Sequence, residues 1–143
     1  MIGAVIMQRK VRSAFDCLNR RDLPAFLLNW AEEATFIYPS TVSVGGKIEG
    51  KNAVAKWFQG FMEQFPKVKF TVKNVCVQNI LSFGGTNVAA VEWDCTGINR
   101  DGMDFHNSGV IIINAKEGQV VWAREYIFDA EMLKLAWGES GGK

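Results

Sequence analysis

From residue 67 onward the chain reads as four strand-length segments, at about 67–79, 86–98, 103–114 and 119–128, parted by glycine-bearing breaks. The breaks are Gly84-Gly85, Asp101-Gly102 and Glu117-Gly118. Connections this short cannot carry a crossover, so consecutive strands must run antiparallel as a meander. The preceding half has the helical period. Residues 4–19 place Val5, Val11, Ala14, Phe15 and Leu18 on one stripe. Residues 51–65 place Val54, Trp57, Phe58, Phe61, Met62 and Phe65 on a broader one, stopped by Pro66. Between them Asp22 predicts an N-cap, with Pro24 in the first turn of a helix reaching Trp30. Ala34 to Tyr38 is rich in strand formers and ends at Pro39, and Val44-Gly45-Gly46-Lys47 reads as a turn. Residues 129–137 predict a short closing helix with Met132, Leu133 and Trp137 on one side. Helices followed by an antiparallel sheet give an α+β fold. The 143 residues hold no repeat or linker and make one domain, 1–143, with a frayed tail from Glu139 to Lys143.

Side chains alternate across a strand, so 86–98 has two distinct faces. Val91, Trp93 and Cys95 share one; Ala90, Glu92, Asp94 and Thr96 share the other. With helices packed into a curved sheet and the acidic face turned inward, the carboxyl groups enter an apolar pocket. The large aromatic then faces outward, which suggests burial against another chain.

Composition removes several classes of partner. Sixteen basic residues against fifteen acidic ones leave a charge of +1, without the clustered basic surface that nucleic acid or an anionic membrane requires. No window approaches the apolar length of a membrane helix, and the apolar start precedes its charges, unlike a secretory leader. A cytoplasmic protein is expected. Cys17, Cys76 and Cys95 are odd in number with no CxxC pair, and His106 is the only histidine. Neither a disulfide framework nor a metal centre is expected, and no cofactor.

Four local strings, in order, resemble the nuclear transport factor 2-like superfamily, and more narrowly its SnoaL-like polyketide cyclase and ketosteroid isomerase-like branch. Asn19-Arg20-Arg21-Asp22-Leu23 is similar to the family's junction between its first two helices. Trp30-Ala31-Glu32-Glu33-Ala34-Thr35-Phe36 is similar to its entry into the first strand, and Ile48-Glu49-Gly50-Lys51-Asn52-Ala53-Val54 to the start of its third helix. Glu117-Gly118-Gln119-Val120 through Arg124-Glu125-Tyr126 resembles its last hairpin. The resemblance spans about residues 8–137. It implies a cone-shaped, curved antiparallel sheet wrapped around N-terminal helices, a cystatin-like roll, with an apolar central cavity open at one end. It also implies a homodimer packed through the outer sheet face.

The family's catalytic groups carry over unevenly. Ketosteroid isomerases of this fold use an Asp before the first-strand Pro, a helix-one Tyr and a protonated Asp on the penultimate strand. Those positions here fall on Tyr38, on Ala14 and near Val110, so steroid isomerase activity is not expected. Epoxide hydrolase-like members use an Arg-x-Asp pair and a last-strand Asp; the matching residues are Glu92-Trp93-Asp94 and Glu125. Glu92 cannot replace the Arg, because it repels Asp94, and one carboxyl pKa in such a group must rise. Cyclase-like members use a single Asp, a part open to Asp94 or Glu125 with Tyr38 as donor.

Register decides what shares the cavity. Two-residue turns at Asp101-Gly102 and Glu117-Gly118 set Asp94 opposite Gly109 and Glu125 opposite Val110, on opposite faces. A bulge, with Gly109 a reasonable place for it, would bring Asp94, His106 and Glu125 together. The expected catalytic set is therefore Asp94, Glu125, His106 and Tyr38. Trp30, Trp57, Phe58 and Phe61 are spaced for the core; those reaching the cavity, with Val110, form the expected surface for a flat apolar ligand. The resulting expectation is a protein for a hydrophobic small molecule. It is either a cofactor-independent isomerase, cyclase, dehydratase or epoxide hydrolase using carboxyl acid–base chemistry, or a non-catalytic ligand-binding or dimerisation module of the same fold.

Overall fold

Along strand β5 (Asp104–Lys116) every second residue from Phe105 to Ala115 is buried, the signature of a sheet covered on one face. The computed structural model describes residues 2–81 and 85–139. The other elements are α1 (Ile2–Asn19), α2 (Leu23–Leu27), β1 (Trp30–Tyr38), β2 (Gly46–Glu49), α3 (Lys51–Gln64), β3 (Lys67–Val77), β4 (Thr86–Ile98), β6 (Gln119–Ile127) and α4 (Ala130–Ala136). The six strands form one curved, unclosed sheet in the order β2-β1-β6-β5-β4-β3, packed on the helices in an α+β fold. The meander from β3 to β6 is antiparallel as expected, but β1 joins β6 in parallel. The expected turn at Val44–Lys47 is partly β2, which pairs antiparallel with β1.

Local chemistry explains the helix ends. Asp22 caps α2 by accepting the Ala25 amide at 3.2 Å, and Pro24 sits in the first turn. The helix stops at Leu27, short of the expected Trp30. Trp30 packs edge-on against Phe36 at 5.8 Å and begins β1, while the Asn29 carbonyl accepts the Val120 amide at 2.7 Å. Sheet pairing has overridden a weak helical preference. Arg21, at a φ of 60°, donates to the carbonyl oxygens of Phe65 at 2.8 Å and Met62 at 2.6 Å, satisfying the end of α3.

Two irregularities set the register. The β4–β5 connection is one residue longer than expected: the Asn99 amide bonds the Met103 carbonyl, with Gly102 at a φ of 84°. The Glu117-Gly118 turn has the expected two residues, both at positive φ, but β6 bulges just beyond it, between the pairs Asn114↔Trp122 and Ala115↔Val120. Gly109 is not the bulge. Of the Gly84-Gly85 break, Gly84 lies outside the described residues, as does the tail beyond Glu139. Among the described residues no helix is long and apolar enough to cross a membrane.

Closure of the sheet's open side falls to α4. Among the described residues the buried polar side chains are Gln64, Asn99 and Asn107, and all three grip this segment. Gln64 and Asn99 both donate to the Ala136 carbonyl, at 2.9 and 3.1 Å. Asn107 donates to the Asp129 carbonyl at 2.9 Å and accepts its amide at 3.1 Å. Buried amides left unpaired would be costly, so these bonds tie the helix to one place.

Candidate functional site

Between the helices and the concave sheet face lies an apolar hollow of about 100 Å³. Phe15 and Leu18 of α1, Phe58 and Phe61 of α3, Phe36 of β1, and Ile111 and Ile113 of β5 supply much of its wall. Met132, Leu133 and Ala136 of α4 close over it. The rings of Tyr38 and Phe61 each stand 4.5 to 6.2 Å from those of Trp57 and Trp137, which are 5.8 Å apart.

Glu125 is the acidic group in this wall. It keeps a minor accessible fraction beside the hollow. Burial among apolar side chains pushes its carboxyl from 4.5 up to about 8, against the opposing effect of a bond from Trp93 Nε1 to its Oε2 at 3.0 Å. Among the described residues no lysine or arginine lines the hollow to hold the charged form. Nearby, burial pushes the Tyr38 hydroxyl well above its ordinary value; the Trp137 indole N–H, donating to it at 3.0 Å, opposes that, and the Glu125 charge adds to it. Tyr38 therefore stays a protonated phenol with an oxygen already engaged. Cys95 also faces in, its thiol pushed up to about 12 by burial.

The structure separates the expected acid set. Glu125 and Tyr38 face the hollow, with Trp30, Trp57, Phe58 and Phe61. Asp94, His106 and Val110 do not. Asp94 pairs with Ser108 across the sheet on the outer face, where it accepts the Ser108 hydroxyl at 2.7 Å and meets Lys73 Nζ at 3.5 Å. The Ser108 bond, followed by Lys73 and His106, holds the Asp94 carboxyl below its ordinary value. His106 is exposed on that same face, opposite Thr96. Val110 lies there too, between Glu92 and Tyr126. Glu92 accepts the Asn74 side-chain amide at 2.7 Å, also outside.

Parity is the reason. The expected register set Asp94 and Glu125 opposite β5 positions one apart, Gly109 and Val110. The longer turn moves Asp94 back to Ser108, and the β6 bulge moves Glu125 forward to Ile111. The positions are now three apart, still odd, so the two carboxyl groups remain on opposite faces. The inward face of β4 is that of Val91, Trp93 and Cys95, all buried, not the acidic one.

A family model for the SnoaL-like domain matches residues 11–123. This chain belongs to the SnoaL-like domain family. Solved structures agree on the fold. A nuclear transport factor 2-like protein of unknown function from Burkholderia pseudomallei is 18% identical, with a TM-score of 0.75 over 90% of this chain and 95% of its own. A candidate isomerase from Bacillus subtilis is 24% identical, with a TM-score of 0.73 over 92% of each chain. TerC, co-crystallised with polyporic acid, is 10% identical, with a TM-score of 0.75 over 92% of this chain and 97% of its own. A search of curated protein sequences returns no match.

In this SnoaL-like domain, sequence reasoning missed Trp93 as part of the hollow and donor to Glu125, Trp137 as donor to Tyr38, and Gly109 as the close approach behind Trp93. Two signals were available. A tryptophan alternating with Val91 and Cys95 makes the more apolar face of the strand, which belongs inside. A glycine within a strand marks a close approach as readily as a bulge.

Proposed function

We propose that the SnoaL-like domain binds a small, uncharged hydrophobic molecule in this hollow and performs cofactor-independent proton transfer on it through Glu125. The observation that carries the reading is the Glu125 carboxyl, raised to about 8 in an apolar wall with no lysine or arginine among its described residues. Near neutral pH such a group exchanges readily between acid and base forms. In the supported chemistry the Glu125 carboxylate takes a proton from carbon α to a carbonyl, while the Tyr38 hydroxyl donates to the carbonyl oxygen as negative charge gathers there. Glu125 exchanges its proton with solvent, and a proton returned from it to carbon restores the carboxylate. With Asp94 outside, a two-carboxylate epoxide mechanism has no support, and an isomerase- or cyclase-type step has the better fit. TerC, a protein of similar fold, was co-crystallised with polyporic acid.

An apolar cavity of about 150 Å³ is known to hold benzene, so about 100 Å³ suits a molecule smaller than a six-membered ring. Acetone in deuterium oxide is therefore the probe. The wild type is expected to speed exchange of its α-hydrogens, Glu125→Gln to lose that acceleration by ~10²–10⁴-fold, and Asp94→Asn to retain it. Equal exchange in wild type and Glu125→Gln would refute the catalytic role. The small volume and lone acid also fit a binding-only module; binding of the ketone with no catalysed exchange selects that reading.

We further propose a homodimer through the outer sheet face. Tyr126 and Phe128 are exposed there, at 44% and 64%, beside half-buried Val110, Ile112 and Trp122. Sedimentation is expected to give twice the 15.9 kDa chain mass, and a monomer at micromolar concentration would reject the dimer.

A further inference from the structure

An indole N–H donates and never accepts. The Glu125 oxygen it meets, Oε2, must therefore be an acceptor in both protonation states. In the neutral acid the carbonyl oxygen is the stronger acceptor, so the bond favours Oε2 as the carbonyl and the proton on Oε1. In the carboxylate the same N–H faces a full charge, and the bond shortens and strengthens.

The backbone shows how the indole is brought there. Trp93 and Gly109 are cross-strand partners, and Gly109 also pairs with Ile127 of β6. A Cβ on Gly109 would stand 2.7 Å from Trp93 Cζ2 and would collide with the Tyr126 carbonyl oxygen. Without one, the six-membered ring lies directly against the strand. On another side Phe70 meets the ring edge-on, at 5.6 Å and 80°. The ring is 3% exposed and has nowhere else to go.

We propose that Trp93 is a positioning residue: clamped between Phe70 and the bare backbone of Gly109, its indole N–H occupies Oε2 of Glu125 and assigns the transferable proton to Oε1. The inference rests on Glu125 being the proton-transfer group and adds which oxygen acts and what orients it. The other titratable groups facing Glu125 are Tyr38 from β1 and Cys95 from β4, and both stay neutral below pH 10.

The indole N–H signals of the intact protein, followed from pH 5 to 10 by nitrogen-15 NMR, test this directly. The Trp93 signal is expected to titrate with the Glu125 carboxyl carbon, and to become flat in Glu125→Gln. In Trp93→Phe, which keeps a ring but loses the donor, the Glu125 midpoint is expected to rise by about one pH unit. Gly109→Ala, which keeps the indole but denies it room, is expected to move the midpoint the same way. A purely packing role for Trp93 would leave the midpoint in place. A Trp93 signal indifferent to pH in the wild type overturns the proposal, and so does an unmoved midpoint in Trp93→Phe. If that variant does not fold, the wild-type titration decides alone. Because these readouts need no turnover, a titrating indole without ketone exchange sinks the catalytic reading and leaves the Trp93–Glu125 pairing standing.

Discussion

Phe36→Ala is expected to lower the unfolding free energy by ~3–5 kcal/mol, the usual loss for truncating a buried phenylalanine. Phe36 is 1% exposed and sits in β1, between the pairings with β2 and β6. Its ring stands 5.0 Å from Trp57, 5.3 Å from Phe58, 5.8 Å from Trp30 and 6.1 Å from Tyr38. Four large rings cannot rotate together into the space it leaves, so most of the cavity persists and its lost contacts are not recovered. Urea denaturation at constant m-value measures the effect. A loss below ~1.5 kcal/mol would mean that the ring cluster collapses freely, and that the hollow is a soft space without a defined shape. Phe36→Leu, which keeps most of the volume, is expected to cost under ~1.5 kcal/mol.

Glu125→Gln is expected to be more stable than the wild type at high pH, by on the order of 3 kcal/mol at pH 9. The folded carboxyl titrates near 8 and the unfolded one near 4.5. Between those values the folded state holds a proton that the unfolded state has released. The stability linked to this group is therefore complete below pH 4.5 and is lost as pH rises through about 8. The figure is set below the full linkage value because Glu125 keeps some solvent access. Glutamine has no proton to lose and can still accept the Trp93 N–H, so its stability should be nearly flat over the same window. Unfolding curves at pH 4, 7 and 9 decide it. Parallel pH dependence of the two proteins would show Glu125 to be well solvated, and would remove the physical basis for its catalytic role. Substitution of a catalytic acid commonly gains stability where the site held strain, so a gain here accompanied by lost ketone exchange would join the two readings.

Much of the architecture was legible because local chemistry and tertiary structure agree on it. Pro66 ends α3, Asp22 caps α2, and the Asp101-Gly102 and Glu117-Gly118 breaks lie where the hairpins turn. The strand β4 begins and ends where alternation and turn residues place it, at Thr86 and Ile98. Family strings along the first strand, the third helix and the last hairpin carry the fold, and the family model covers residues 11–123, stopping within that hairpin. Where pairing partners are remote, local signals fell short. The start of β1 at Trp30 and its parallel pairing with β6 depend on residues about ninety positions apart. The family string from Trp30 to Phe36 marks the entry into the strand, but nothing near it in the chain announces the parallel pairing.

Tyr38, Glu125 and the four aromatic residues of β1 and α3 line the hollow, while Asp94, His106 and Val110 do not. Alternation alone established that Asp94 shares a face with Glu92 and opposes Trp93, since successive strand residues must point to opposite sides. It could not say which face meets the helices. That choice was made by the whole assembly: burying Trp93 against Gly109 and Phe70 removes a large apolar surface from water, whereas turning Asp94 inward would strip a carboxylate of Lys73, Ser108 and solvent. The sequence determined the pairs of faces; the cost of burying charge, summed over the sheet, decided which of them became the inside.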